Sequence, residues 1–350
     1  MAQPASSSAD ASSAAFYDLA TIRRLSGQIA LVSTAAGPCS AVVTTPDERQ
    51  LEASATSFAY DRPILLLPGA YNPPTSAHLA LARVSLEALP SACCFFSLST
   101  STINKEQTER AILVDRLLLL DQIAQRIGGQ GVLLTNRGLY VEQAAAARAA
   151  FPEASDLFFV VGGDKIEQIF DARYYQDRDA ALRELFSRAK LLAAPRAGQQ
   201  ADGIMALLLR PENQPFRAAI RLLPLAQEYR EVASSQVRAM LQAPPSVLNA
   251  AGLAHLLPPE ALAFCLETRC YSPAEQLSEG EVVDRYALRT ALIARALSLP
   301  PCEQARLDLQ RIFALATSAS ERGRLLRRWL ADAPTAGSTF DLFALPAEPC

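Results

Sequence analysis

The sequence predicts an α/β protein, with a doubly wound parallel sheet followed by a C-terminal helical extension. Between residues 61 and about 195, short apolar runs alternate with stretches of helical periodicity, which is typical of a parallel sheet with helices on both faces. The apolar runs lack a strict polar–apolar alternation, as expected of strands that are buried on both sides. After residue 274 the chain reads as helices with little β signal.

The predicted elements follow one another in a regular order. The strand candidates are Ile64–Leu67, Cys93–Leu98, Val132–Thr135, Leu157–Val161, Lys190–Ala194 and, as a sixth run, Ile220–Leu225, with a strand-like piece upstream at Gln28–Ser33. The helix candidates are Leu79–Leu89, Gln107–Arg126, Val141–Ala150, Ala180–Arg188 and a helix from about Ser235. We therefore expect an N-terminal extension over 1–60, with its Ala/Ser-rich start disordered, a main domain over 61–270, and a helical extension over 271–350.

Composition excludes several classes of protein. A chain of 350 residues is long enough for about two domains at roughly 150 residues each. Its net charge of −3 provides no large basic field, which argues against nucleic-acid and membrane partners, and no apolar run approaches the length of a membrane span. The seven cysteines include no CxxC pair and favour a reducing compartment. The chain has only two histidines, which argues against a catalytic zinc site. Without a secretory signal, we expect a cytoplasmic protein.

The most informative stretch is a strand, a turn and a helix over residues 64–82. Gly69 permits a tight turn and a close approach of the backbone to a ligand, and two prolines stiffen the turn. Thr75 is a good N-cap, which places His78 at the third helical position. An imidazole and a hydroxyl at a helix N-terminus, directly after a central strand, indicate a phosphate site. The alternative is that His78 is an ordinary polar residue on a first turn.

Two further segments have the same character. Gly162–Asp164 follows the strand at 157–161, and if that strand lies beside the one at 64–67, both loops flank one crevice of the sheet. Asp164 then accepts hydrogen bonds from a ribose or an amide; the alternative is a glycine-rich helix cap. Ser234 or Ser235 caps a later helix and Arg238 falls in its first turn, which forms a second anion site or, alternatively, a capped surface helix.

Two helix N-termini with phosphate-compatible side chains suggest a long polyanion such as a triphosphate. No activated serine, cysteine or pair of acids accompanies them. The consistent chemistry is direct phosphoryl or nucleotidyl transfer, which depends on positioning and on neutralising charge.

Five segments together resemble a known superfamily: GAYNPPTSAH at 69–78, GGD at 162–164, PRAG at 195–198, SSQVR at 234–238 and LLPPEALAF at 256–264. In this combination they resemble the nucleotidyltransferases with the (H/T)xGH signature, and within them the nicotinamide/nicotinate mononucleotide adenylyltransferases and their cytidylyltransferase-like relatives. The resemblance covers about residues 62–270. It implies a Rossmann-like sheet, and it makes 61–270 a nucleotidyltransferase domain.

The resemblance also implies roles for individual residues. Thr75 and His78 take the outer positions of the signature, and His78 contacts the ATP phosphates and stabilises the transition state. The implied ligand-binding residues are Gly69, Ala70 and Tyr71 through their backbone, Asp164 beside the nucleotide, Ser234, Ser235 and Arg238 on the β- and γ-phosphates, Lys105 on a phosphate, and Tyr174 or Tyr175 stacked on the pyridine. Mg²⁺ arrives with ATP, so no protein metal site is expected. Ala77 replaces the signature glycine, and its methyl group is expected to crowd the phosphates.

The implied activity is transfer of AMP from ATP to a pyridine mononucleotide with release of pyrophosphate, a step of NAD biosynthesis. The partners are then small-molecule substrates, and a homo-oligomer is left open. Two alternatives remain: an enzyme of the same fold that uses ATP or CTP with another acceptor, such as a phosphopantetheine or a polyol phosphate, and a nucleotide-binding protein without catalysis.

Overall fold

A seven-stranded sheet forms the centre of the chain. The computed structural model describes residues 15–43, 61–101, 110–127, 131–196, 201–243, 247–278 and 280–331. The strands are β1 Ser40–Val43, β2 Ile64–Pro68, β3 Cys93–Ser99, β4 Gly131–Thr135, β5 Leu157–Gly162, β6 Lys190–Ala194 and β7 Ile220–Leu222. Their order is β1-β4-β3-β2-β5-β6-β7, and β1 alone among them runs antiparallel, against β4. The predicted α/β class is confirmed.

The strand predictions hold because the strands are buried apolar runs. β2 begins at the predicted residue and its first four residues are buried, and all five residues of β4 are buried. The sixth predicted run is shorter than expected, because β7 ends at Leu222. The adjacent thiols Cys93 and Cys94 point into the interior, as the sequence suggests, with 8% and 4% of their surface exposed. Burial, together with the neighbouring Cys93 thiol, raises the pKa of the Cys94 thiol to about 12.

Helices connect consecutive parallel strands. They are α2 Ser76–Ala88, α3 Leu113–Arg126, α4 Tyr140–Ala150, α5 Gly163–Phe170, α6 Arg178–Arg188 and α7 Ala201–Leu208, after an N-terminal helix α1 at Leu19–Thr34. The later helices are α8 Gln227–Arg230, α9 Ser234–Leu241, α10 Ala250–Leu256, α11 Pro259–Thr268, α12 Arg285–Ser298, α13 Pro301–Gln304, α14 Leu309–Ala316 and α15 Glu321–Ala331. Among the described residues, none of these helices has the length and apolar character needed to cross a membrane.

The strand-like reading of Gln28–Ser33 is wrong, because this segment lies inside α1. Ile22, Leu25 and Val32 are buried in that helix, at spacings of three and seven residues that put them on one helical face. A window of six residues is too short to reveal that period. The strand that precedes the predicted main domain is instead β1, which pairs with β4, with Val42 opposite Leu133.

The chain divides into two compact units. One consists of 25–237 with 250–261 and contains the seven-stranded sheet; the other consists of 1–24, 238–249 and 262–350. The division of the chain at 60 and 270 stays a prediction. Residues 1–14, 44–60 and 332–350 of the two expected extensions lie outside the described residues.

The unit that includes residues 262–350 contains a short hairpin that was not predicted from the sequence. Its strands are β8 at Glu275–Ser278 and β9 at Glu281–Val283, and Gly280 takes the positive φ of +78° that the turn needs. The Glu281 carboxylate accepts a hydrogen bond from Nε of Arg327 at 3.0 Å. Strands this short carry little periodicity, so only the glycine marks them in the sequence.

Candidate functional site

The order of the strands reverses between β2 and β5. From β2 the chain proceeds to β3 and β4 on one side, and then to β5, β6 and β7 on the other. β2 and β5 pair in parallel, with Ile64 opposite Leu157 and Leu66 opposite Phe159. The strand adjacency on which the predicted crevice depended is therefore present. In open α/β sheets, ligands bind at this switch point, outside the carboxyl ends of the strands.

The turn after β2 is built around the Tyr71 ring. Tyr71 is 1% exposed with a φ of 49°, and its hydroxyl donates a hydrogen bond to the Leu67 carbonyl. A Cβ on Gly69 would lie 2.9–3.3 Å from three atoms of this ring. The space beside Gly69 is thus filled by a tyrosine of the same turn, whereas the sequence predicts that a ligand approaches the backbone there.

A buried arginine fixes the next peptide of the turn. Nη1 of Arg116, on α3, donates a hydrogen bond to the Ala70 carbonyl at 2.8 Å, and Arg116 is only 7% exposed. Because the C=O and N–H of a trans peptide point in opposite directions, this bond turns the Tyr71 N–H away from Arg116. Arg116 is not among the predicted site residues; its one signal in the sequence is its place directly before the buried run at 117–120.

Thr75 and His78 form the start of α2, as the sequence predicts. Thr75 is the N-cap and His78 the third helical residue. The Thr75 N–H donates to His78 Nδ1 at 3.0 Å, and the Thr75 hydroxyl lies 2.8 Å from the same nitrogen. The imidazole therefore takes the place that Glu or Gln has in a capping box. An accepting Nδ1 puts the imidazole proton on Nε2, which is therefore the donor nitrogen of the ring.

The imidazole is held neutral. Burial, together with the positive charge of Arg196, lowers the pKa of His78 to about 3. Its ring also packs 4.8 Å from the Tyr71 ring, centroid to centroid. A neutral His78 donates one hydrogen bond from Nε2 at pH 7 and brings no charge of its own.

This lowered pKa predicts an acid-sensitive fold. In the unfolded chain His78 takes up a proton near its ordinary pKa of about 6.5, whereas in the folded chain it does so only near pH 3. Stability is unaffected above pH 6.5 and falls as the pH drops below it, because the unfolded state binds the proton first. We expect the free energy of unfolding to lose up to about 2 kcal/mol between pH 7 and pH 5 through this group.

Chemical denaturation at the two pH values measures this loss in the wild type and in His78→Asn. The variant is expected to lose less stability on acidification, and His255→Asn, which removes an exposed histidine, controls for the loss of one imidazole. An equal pH dependence in all three proteins contradicts the prediction.

The end of β5 presents Asp164 to the same crevice. β5 ends at Gly162, which is the N-cap of α5, so Asp164 lies in the first turn of that helix. Its side chain is 57% exposed, and Lys165 Nζ is 3.9 Å from one of its oxygens. Asp164 is thus accessible to a ligand, and the cap itself is formed by the backbone of Gly162.

A second arginine, Arg196, lies at the adjacent strand end. It follows β6 by two residues, and its Nη2 donates to the Val232 carbonyl at 2.8 Å. Its Cδ would be 3.2 Å from a Cβ on Gly162. Within PRAG this arginine has no predicted role, although its place just after a parallel strand is the signal that could have found it.

The start of α9 reaches the turn that precedes α2. Ser234 Oγ donates a hydrogen bond to the Pro73 carbonyl at 2.8 Å, so two helix beginnings that are far apart in the chain lie close together. The prediction that Ser234 or Ser235 is the N-cap is wrong, because α9 begins at Ser234 and the Val237 N–H bonds to the Ala233 carbonyl. Ser235 is an exposed residue of the first turn. The placement of Arg238 in the first turn is wrong: the helix is short and Arg238 lies in its last turn, where a cation suits the helix dipole.

The two stacking candidates follow α5. Tyr174 ends a single 3₁₀ turn at Ala172–Tyr174, and the Tyr175 hydroxyl donates to the Ile169 carbonyl at 2.8 Å. Burial raises the pKa of Tyr140, and the nearby Asp164 carboxylate and Tyr175 phenol raise it as well. Stacking on a pyridine stays a prediction for either ring, and Lys105 lies outside the described residues.

A cavity of about 630 Å³ lies along α5 and α7. Its lining includes Phe170, Asp171, Arg178, Arg210 and Asn213. None of the predicted site residues belongs to it, and its lining residues come from the far end of α5 rather than from the strand ends. The candidate site is therefore defined by side chains at the switch point and by two helix beginnings.

Comparison with known proteins yields matches in structure alone. No protein-family model matches the sequence, and no curated protein matches it. The chain is similar to Plasmodium falciparum nicotinic acid mononucleotide adenylyltransferase complexed with APC, at 12% identity and a TM-score of 0.40 over 60% of this chain and 96% of that one. The same enzyme complexed with NaAD gives 11% identity and a TM-score of 0.42 over 60% and 97%. Thermotoga maritima TmcAL bound with alpha-thio ATP gives 12% and 0.32 over 77% and 83%.

Proposed function

We propose that this chain is a nucleotidyltransferase that transfers AMP from ATP to the phosphate of a pyridine mononucleotide and releases pyrophosphate. The observation that carries the proposal is the 2.8 Å hydrogen bond from Ser234 to the Pro73 carbonyl. It brings the beginning of α9 beside the beginning of α2, at the point where the strand order reverses. The positive dipole ends of two helix N-termini suit a polyphosphate better than a single small anion.

The reaction needs no nucleophile from the protein. A phosphate oxygen of the mononucleotide forms a bond to the α-phosphorus of ATP, and the bond from that phosphorus to the bridging oxygen of the β-phosphate breaks. The electron pair leaves with pyrophosphate, and Mg²⁺ that enters with ATP offsets part of its charge. The protein contributes positioning and hydrogen bonds to the oxygens on which charge develops.

His78 is placed for the second of these tasks. Its Nδ1 is occupied by the Thr75 N–H, so Nε2–H is the donor that it offers to a phosphate oxygen. Gly69, Ala70 and Tyr71 supply backbone from the turn, and Asp164 binds the nucleoside portion. Ser234, Ser235 and Arg238 on α9, together with Lys105, bind the β- and γ-phosphates, and Tyr174 or Tyr175 stacks on the pyridine.

The alanine in the signature does not oppose catalysis by this chain. Ala77 is 1% exposed and belongs to the buried core of α2. Its methyl group is therefore surrounded by protein, so the replacement of the signature glycine gives no reason to prefer a nucleotide-binding protein without catalysis. The proposed enzyme acts on small molecules in the cytoplasm as a step of NAD biosynthesis.

The test uses the purified full chain with Mg²⁺ and ATP or CTP, each paired with nicotinamide mononucleotide or nicotinate mononucleotide. We expect ATP and one of the mononucleotides to give pyrophosphate and the corresponding dinucleotide, detected by mass spectrometry. Pyrophosphate release only with a phosphopantetheine or a polyol phosphate assigns the enzyme to another acceptor. Binding of ATP without turnover for any acceptor contradicts the proposed activity.

A further inference from the structure

Arg196 lies where three parts of the site meet. It follows the carboxyl end of β6, the strand next to β5 in the sheet. Its side chain packs against Gly162, with Cδ 3.2 Å from the position of a Cβ on that residue, and its guanidinium donates to the Val232 carbonyl at 2.8 Å. Val232 precedes Ser234 by two residues, so this bond also restrains the chain that leads into α9.

The charge of Arg196 is not neutralised by the protein described. No carboxylate among the described residues forms an ion pair with it, although Asp164 is close: Oδ1 of Asp164 and Cδ of Arg196 would both touch the same Cβ on Gly162. Arg137 shows the contrasting case. It follows β4 by two residues, donates to the Ala36 carbonyl at 2.7 Å, and has Glu142 3.5 Å from its Nε.

Two hydrogen bonds link Arg196 to the turn before His78: its Nη2 donates to the Val232 carbonyl, and Ser234, two residues later, donates to the Pro73 carbonyl. The positive charge of Arg196 is also near enough to His78 to oppose protonation of the imidazole. A guanidinium and a neutral imidazole N–H in one part of the site favour an anion that accepts from both. A phosphate group has the oxygens to do so, and the arginine fork bonds two of them at once.

We propose that Arg196 is a phosphate-binding residue of this site, which holds the polyphosphate of the nucleotide together with His78. This inference rests on the proposed function and extends it to a residue to which the resemblance assigned no role. One N–H of the guanidinium stays on Val232, and the others bind phosphate oxygens. Because Val232 leads directly into α9, the same side chain keeps the beginning of that helix beside the bound phosphate.

The test compares Arg196→Met and Arg196→Lys with the matched control Arg137→Met. Arg137 ends the same kind of strand, so its substitution removes the same charge from the same edge of the sheet. Calorimetry with inorganic triphosphate is expected to show binding weakened about ten- to a hundredfold by Arg196→Met, since a charge-assisted hydrogen bond is lost. Arg196→Lys is expected to retain part of the affinity, and Arg137→Met nearly all of it.

Equal weakening by Arg196→Met and Arg137→Met, or no weakening by either, overturns the inference. The transfer assay is read separately: triphosphate binding that depends on Arg196, in a protein that transfers no nucleotide, supports the phosphate site and contradicts the proposed activity. Should Arg196→Met fail to fold, the wild type is treated with phenylglyoxal, an arginine reagent. Inorganic triphosphate is then expected to protect Arg196 and leave Arg137 reactive, and equal protection of both overturns the inference.

Discussion

Replacing His78 by alanine is expected to lower the turnover of nucleotidyl transfer by about 10²–10³ without unfolding the protein, the usual cost of removing a hydrogen-bond donor that acts in the transition state. The structure supports an effect of this kind because the two ring nitrogens have separate tasks. Nδ1 accepts from the Thr75 N–H, which orients the ring, and Nε2–H remains for the substrate. The loss should therefore be larger in kcat than in KM for ATP.

The control must separate catalysis from helix capping, because His78 does both. Glutamine is a standard residue at the third position of a capping box, so His78→Gln keeps the bond to the Thr75 N–H and removes the imidazole. We expect His78→Gln to unfold at nearly the wild-type denaturant concentration and still to lose most of the turnover. Wild-type kcat in both variants would show that the chemistry takes place elsewhere in the molecule.

The parallel core of the sheet could be predicted because each strand is a local apolar run. β5 and β6 are recognisable from their own residues alone, and the glycine pair that ends β5 marks where the backbone turns into α5. Thr75 and His78 could be placed for the same reason, because the N-cap and the third residue of a helix are only three positions apart in the sequence. These features depend only on residues that are close in sequence, so the tertiary structure does not alter them.

The parts that could not be predicted depend on residues distant in sequence. Arg116 and Arg196 reach backbone carbonyls 46 and 36 residues away, and no local pattern distinguishes them from arginines on a surface. The strand β1 is recognisable only by its partner β4, since three half-buried residues followed by one buried residue show no alternation. The packing of Tyr71 beside Gly69 could not be predicted either. A glycine two residues before a tyrosine indicates a turn, but it does not show where the ring packs.

A methyl group on Gly69 is expected to destabilise the fold by about 1–3 kcal/mol, the usual cost of overpacking a filled core. The Cβ would lie 2.9 Å from Cζ and 3.0 Å from Cε2 of Tyr71, which is closer than carbon atoms approach in folded proteins. The ring has little room to withdraw. Its hydroxyl is bonded to the Leu67 carbonyl, and its faces and edges meet His78 and Phe96 at centroid distances of 4.8 and 5.5 Å.

A double-mutant cycle distinguishes this clash from any backbone effect of the substitution. Gly69→Ala is compared in the wild type and in Tyr71→Ala, with the free energy of unfolding measured in urea. Gly37→Ala is the matched control, since a Cβ there meets nothing within 4 Å, and it should change stability little. If the ring is the cause, Gly69→Ala costs far less once Tyr71 is alanine; a cost that persists in that background means that the backbone of the turn, and not Tyr71, requires glycine. Because the same ring packs against His78, the clash should also lower turnover in the Gly69→Ala single variant.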